Sequence, residues 1–159
     1  EDDYHVGYPE LVAWTTNLER EYTVHGQGAG RITLSHPDLP DETALKIATY
    51  SPKTRYGKSI DGINQNRNSY DLYRDFPREL KERTTSVYDI AADDLFLLVE
   101  KATPSDSLDE FSYQEEFLEL ETLLKNHGYD TNDFTESNTG VLNGELVIID
   151  LGLLSPQDQ

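Results

Sequence analysis

Two oxygen-bearing side chains near the end of the chain are spaced so that a β-hairpin would bring them together. Asn138 stands before the run Val141-Leu142, and Asp150 directly after Leu146-Val147-Ile148-Ile149. Between the two apolar runs lies Asn143-Gly144, a dipeptide that tolerates the positive φ angles of a two-residue hairpin turn. Antiparallel strands return the chain to the end from which it set out. An amide and a carboxylate are then neighbours, with the donor chemistry of a clamp for a hard metal ion.

Two further features could serve an anion. Gly26, Gly28 and Gly30 fall within five residues, between the runs Tyr22-Thr-Val and Ile32-Thr-Leu34. Such a strand, glycine-rich turn and strand lets a backbone approach a ligand closely and exposes N–H groups, as a phosphate-covering loop requires, although a plain hairpin reads the same way. Lys46 lies inside the short apolar strand of residues 43–50, in a chain that has few lysines. A lysine there either meets an anion or snorkels to water.

The elements that must hold these residues can be read from pattern. Residues 66–85 predict a helix in two pieces, with Tyr70, Leu72, Tyr73 and Phe76 before Pro77 and Leu80 after it; proline is tolerated at the start of the second piece. Residues 87–90 and 95–102 predict strands, the second an unbroken apolar run of the kind buried on both faces. The clearest helix covers residues 112–127. Ser112 and Glu115 read as a capping box, Tyr113, Phe117, Leu120 and Leu124 form one apolar face, and Gly128 follows the end. Two motifs fail: Tyr56-Gly57-Lys58-Ser59 is no phosphate loop, because Pro52 stands where its first glycine belongs, and residues 130–141 are no calcium loop, because Phe134 occupies a ligand position.

In order and spacing these pieces resemble the protein-kinase-like superfamily. There a catalytic Asp is followed five positions later by an Asn, then by a short hairpin and Asp-Phe-Gly. Asp133 and Asn138 have that separation, and Asp150-Leu151-Gly152 stands in the third place. The resemblance implies an α+β fold: a small antiparallel-sheet N-lobe over residues 1–102, with glycine loop, lysine strand, helix C and hinge strand, and a reduced helical C-lobe over residues 103–159. It implies ATP and Mg2+ as cofactors, Asp133 as the residue that orients the attacking hydroxyl, and Lys46 and the amides of Gly26, Gly28 and Gly30 on the phosphates. Asn138 and Asp150 would hold the metal, while Glu100 and Ala102 in the hinge would offer backbone groups to the adenine.

Departures from the pattern are as specific as the matches. The helix C glutamate falls on Ser69 in the run Asn66-Arg67-Asn68-Ser69, leaving Asp71 or Glu79 as substitutes. No His-Arg precedes Asp133, Thr135 and Glu136 replace the usual Leu-Lys, and the glycine turn is Gly-x-Gly-x-Gly. The chain runs only seven residues past Gly152, so at most a minimal kinase is expected. Two functions follow: a minimal kinase that binds ATP and Mg2+ and transfers phosphate, or a catalytically inactive kinase-like module that works as an interaction or virion component and so has a protein partner.

Composition places either in a saline setting. Asp and Glu number 31 against 13 Lys and Arg, for a formal charge of −18. Concentrated salt screens such self-repulsion, so the expected source is a halophile, archaeal or viral, with the protein in its cytoplasm or a virion. Without a basic stripe to neutralise phosphates, nucleic acid is not an expected partner. There is no cysteine for disulfides or zinc, and no apolar run of about 18 residues that would span a membrane.

Overall fold

The structure, a computed structural model, describes residues 23–28, 30–49, 54–55, 58–59, 61–152 and 154–157. Tyr56 and Gly57 of the rejected phosphate loop lie outside these residues, as do Tyr22 and Tyr50 at the expected strand ends.

An antiparallel sheet of five strands forms the first layer: β1 (Thr23–Gly28), β2 (Arg31–Ser35), β3 (Thr43–Ala48), β6 (Val87–Ala91) and β7 (Phe96–Glu100), in the order β1-β2-β3-β7-β6. Two small strands, β4 (Thr54–Arg55) and β5 (Lys58–Ser59), pair with each other between β3 and the first helix. Alternation along β3 sends Leu45 and Ile47 to one face, where Ile47 packs with Leu34 and Phe96. Ala44, Lys46 and Ala48 point the other way, with Leu97 and Val99 of β7. Buried and half-buried residues alternate along β7, so it is a strand with two unequally covered faces rather than one uniformly buried run.

Helix α1 (Gly62–Asp75) covers the Lys46 face. It starts four residues before the expected Asn66, capped by the Asp61 carboxylate, which accepts from the Ile63 N–H at 2.9 Å. Gly62 allows the close approach: a Cβ there would stand 2.0 Å from the Gly30 carbonyl oxygen and 2.8 Å from Ala48 Cα. Phe76 and Pro77 break the helix, and α2 (Arg78–Lys81) follows, giving the two-piece pattern expected from Pro77.

A second core lies beyond α1. Helix α3 (Glu110–Asn126) sets Leu120 and Leu124 against Phe76, Leu80, Leu146 and Ile148, with Tyr113 and Phe117 alongside. Its cap is Asp109, whose carboxylate accepts from the Ser112 N–H at 2.9 Å; the Ser112 and Glu115 box expected at this end belongs inside the first turn. The hairpin β10 (Thr139–Leu142) and β11 (Glu145–Ile148) turns at Asn143 and Gly144, with φ of 53° and 80°. The short strand β8 (Thr103–Pro104) adds to its edge, and β9 (Tyr129–Asp130) pairs with β12 (Ser155–Pro156). No helix among the described residues is long and apolar enough to cross a membrane.

Candidate functional site

Strand register puts two cations on one face of the sheet. Thr33 of β2 lies opposite Lys46 of β3, and Arg31 lies opposite Ala48, so Arg31 and Lys46 are diagonal neighbours on the side covered by α1. Both are buried, Arg31 to 4 % exposure and Lys46 to 8 %. The β10–β11 hairpin delivers their counter-ion. Asn138 and Ile149 face each other just past the last ladder pair, with the Ile149 N–H donating to the Asn138 carbonyl at 2.8 Å, and Asp150 follows.

Arg31 Nη2 donates to Asp150 Oδ1 at 2.5 Å, and Lys46 Nζ donates to the Ile149 carbonyl at 2.7 Å. From the opposite side Arg31 Nη1 reaches Asn66 Oδ1 at 3.2 Å and Ser69 Oγ at 3.4 Å, both on α1. Burial lowers the Lys46 ammonium to about 8, with Asp150 pulling it up and Arg31 pushing it down. Burial alone would raise the Asp150 carboxyl. Arg31, then Lys46, then the Gly152 N–H outweigh burial and hold it well below the usual carboxylate range.

The run Gln65-Asn66-Arg67-Asn68-Ser69 acts as a clamp on the segment after Asp150. Asn68 Nδ2 faces three carbonyls, of Leu151 and Gly152 at 3.1 Å and Leu154 at 3.0 Å. Gly152 itself is wedged in: a Cβ would meet Arg31 Nη2 and Gln65 Oε1, each at 2.9 Å. Behind the clamp, Asn66 Nδ2 donates to the Asp94 carbonyl at 2.8 Å, and the Arg67 guanidinium grips the Asp94 carboxylate at 2.6 and 3.0 Å. Asp94 sits in a turn where Ala92, Asp93 and Asp94 all have positive φ, a conformation these clasps hold in place.

Asp133, Asn138 and Asp150 line one small cleft, together with Asp130 and Phe134. Lys46 is not among the residues lining that cleft; with Ser69 it lines a second, tighter cavity beside Ile149 and Leu151. Neither substitute for the helix C glutamate reaches Lys46: Asp71 pairs with Arg67 and Arg74 on the outer side of α1, and Glu79 with His127. Gly28 pairs with Arg31, and buried Gly30, with φ 79°, accepts from the Thr49 N–H at 2.7 Å through its carbonyl; Gly26 is exposed at a bulge in β1. At the end of β7, the expected hinge, the Glu100 N–H is bonded to the Ser86 carbonyl and the Lys101 N–H to the Glu42 carbonyl, while Ala102 lies half-buried beside Gly140.

The oxygens expected to hold a divalent metal are already engaged within the chain, one on each residue. Asn138 Oδ1 already accepts from the Thr135 N–H at 2.7 Å and from Thr135 Oγ1 at 3.2 Å, closing a capping box on its own turn. Asp150 Oδ1 already takes Arg31 and the Gly152 N–H. Among the described residues no group of three His, Cys, Asp or Glu side chains could hold a metal ion.

Arg31 is the residue that motif reading misses. Its signal is a lone arginine at the first position of a strand, directly after a glycine turn, in a chain poor in basic residues. Asn68 and Gly62 are missed for a different reason, since each acts through a contact made across the fold.

Solved structures resemble this fold. WbdD, described as a bifunctional kinase-methyltransferase, matches in two of them: one in complex with a kinase inhibitor, TM-score 0.61 at 15 % identity over 82 % of this chain, and one with TM-score 0.58 at 16 % identity over 81 %. The fold is protein-kinase-like. Cex1p matches as well, with TM-score 0.51 at 16 % identity over 89 % of this chain. The chain spans 32 %, 31 % and 28 % of those chains, about a third of each. No protein-family model matches the sequence, and no curated protein does.

Proposed function

We propose that this chain is a catalytically silent kinase-like module that works through a protein partner. One observation carries the reading: buried Lys46 closes on the Ile149 carbonyl, and the α1 residue beside it is Ser69 rather than a carboxylate. Phosphoryl transfer in kinases depends on a strand lysine tied to a helix C glutamate and on an aspartate that holds metal. Here the first tie has no acid, and the aspartate is engaged by a guanidinium. The formal charge of −18 supports work in a saline interior, where screening offsets self-repulsion.

Incubation with radiolabelled ATP and Mg2+ in molar KCl tests this. The expected result is no phosphate release or incorporation above that of the Asp150→Asn protein. Turnover that Asp150→Asn abolishes would overturn it.

A second reading has its own support. Convergence of Asp133, Asn138 and Asp150 on one cleft, with Lys46 behind, is the arrangement a minimal ATP- and Mg2+-dependent phosphotransferase would use. It requires Arg31 to release Asp150 and Asn138 to release Thr135 when nucleotide arrives.

A further inference from the structure

We propose that the Arg31 guanidinium is the resident cation of this site, holding against Asp150 the position that a divalent metal would need. The inference rests on the kinase-like reading of the site and goes beyond the claim of silence, because it names what excludes the metal.

Three observations carry it. Arg31 is fixed from both sides: Nη2 on Asp150 Oδ1, and Nη1 on Asn66 and Ser69. Asn66 is fully buried and is itself held by the Asp94 carbonyl, so the guanidinium is pre-positioned and does not depend on Asp150 alone to order it. Second, the charge count is already met. Among the described residues Asp150 is the carboxylate that Lys46 and Arg31 share, and a divalent ion on it would stand beside two fixed positive charges. Third, the other oxygen expected to complete a metal pair, Asn138 Oδ1, already accepts from the Thr135 N–H at 2.7 Å.

Arginine suits this task better than lysine, because its planar fork can bind a carboxylate and an amide oxygen at once. The substitution of Ser69 for an acid makes room for it, since a carboxylate there would compete with Asp150 for the same guanidinium. The exposed third of the Asp150 side chain faces the cleft, so ambient metal could reach that carboxylate were Arg31 absent.

The test is Mn2+ binding, read from the electron paramagnetic resonance of free Mn2+ in 0.5 M KCl, a background chosen to suppress loose binding to surface acids at about this ionic strength. Wild type and Asp150→Asn should bind Mn2+ identically. Arg31→Met should gain one site at least about ten-fold tighter than the surface background, and Arg31→Met with Asp150→Asn should lose it; Arg31→Lys, which keeps the charge, should gain none. A wild-type Mn2+ site that Asp150→Asn removes would overturn the proposal, as would a folded Arg31→Met protein that gains no site. If Arg31→Met does not fold, Arg31→Gln, which keeps a hydrogen-bond donor without the charge, takes its place with the same two outcomes. Phosphate transfer without an Mn2+ site at Asp150 would overturn the silent reading and leave this one standing, whereas an Mn2+ site at Asp150 without transfer would do the reverse.

Discussion

Arg31 and Asp150, 119 residues apart in sequence, meet at 2.5 Å, and this pair joins the five-stranded sheet to the hairpin that follows α3. Backbone register brings the two together, β2 against β3 for the arginine and β10 against β11 for the aspartate, and Asn66 and Ser69 hold the guanidinium from behind. The kinase-like fold thus carries at its centre a cation supplied by the chain itself.

Breaking that pair should cost stability from both sides. Arg31→Met takes the ion partner from a carboxylate that is one-third exposed and keeps the Gly152 N–H, while Asp150→Asn takes it from a guanidinium at 5 % exposure. A buried pair that loses one partner costs about 3–5 kcal/mol, and Asp150's exposure reduces the first case to about 1–3 kcal/mol. Urea denaturation should therefore show Asp150→Asn as the more damaging change, and the double variant should be less destabilised than the sum of the two.

Lys46 makes stability rise with pH over a defined window. Burial lowers its folded value to about 8, below the roughly 10.4 of a free lysine, so between these the unfolded chain binds the proton more readily than the native one. Stability then increases from about pH 8 upward, until tyrosine ionisation takes over near pH 10. Urea midpoints measured across this range should climb in wild type, and Lys46→Met should remove that climb.

Asn68 should matter more to the segment after Asp150 than to the protein as a whole. Asn68→Ala removes one donor from three carbonyls, at a cost of about 1–3 kcal/mol. Hydrogen exchange should quicken at Leu154, whose N–H donates to Leu151, while amides in the middle of α3 keep their protection.

Two glycines give opposite outcomes. Gly62→Ala drives a methyl into the Gly30 carbonyl at 2.0 Å, against backbone that cannot step aside, and should cost more than about 3 kcal/mol or prevent folding. Gly26→Ala meets nothing within 4 Å and should stay within about 1 kcal/mol of wild type. Thermal unfolding of the two variants side by side checks the assignment.

Local chemistry made much of this fold legible. Asn143-Gly144 announced its hairpin, Pro77 its helix break, and Tyr113, Phe117, Leu120 and Leu124 their common face, because each signal is complete within a few residues. Ser69 was readable as the place of a missing acid. Arg31 was not, since its partner depends on two strand registers and on the entry of Asp150 from a distant hairpin. Asp109 was hidden by Ser112 and Glu115, which imitate a cap one turn too late. Asn138 kept its expected place but not a free oxygen, because Thr135 competes for it at a distance that sequence spacing alone does not reveal.

The measurement that tests the central claim most directly is calorimetric titration of ATP in molar KCl, with Mg2+ and with EDTA, into wild type and Asp150→Asn. With Arg31 in the metal's place, magnesium should add nothing: the two wild-type titrations should agree within about two-fold, whether or not nucleotide binds, and Asp150→Asn should not alter their difference. A magnesium-dependent gain of about ten-fold or more that Asp150→Asn abolishes would contradict the account.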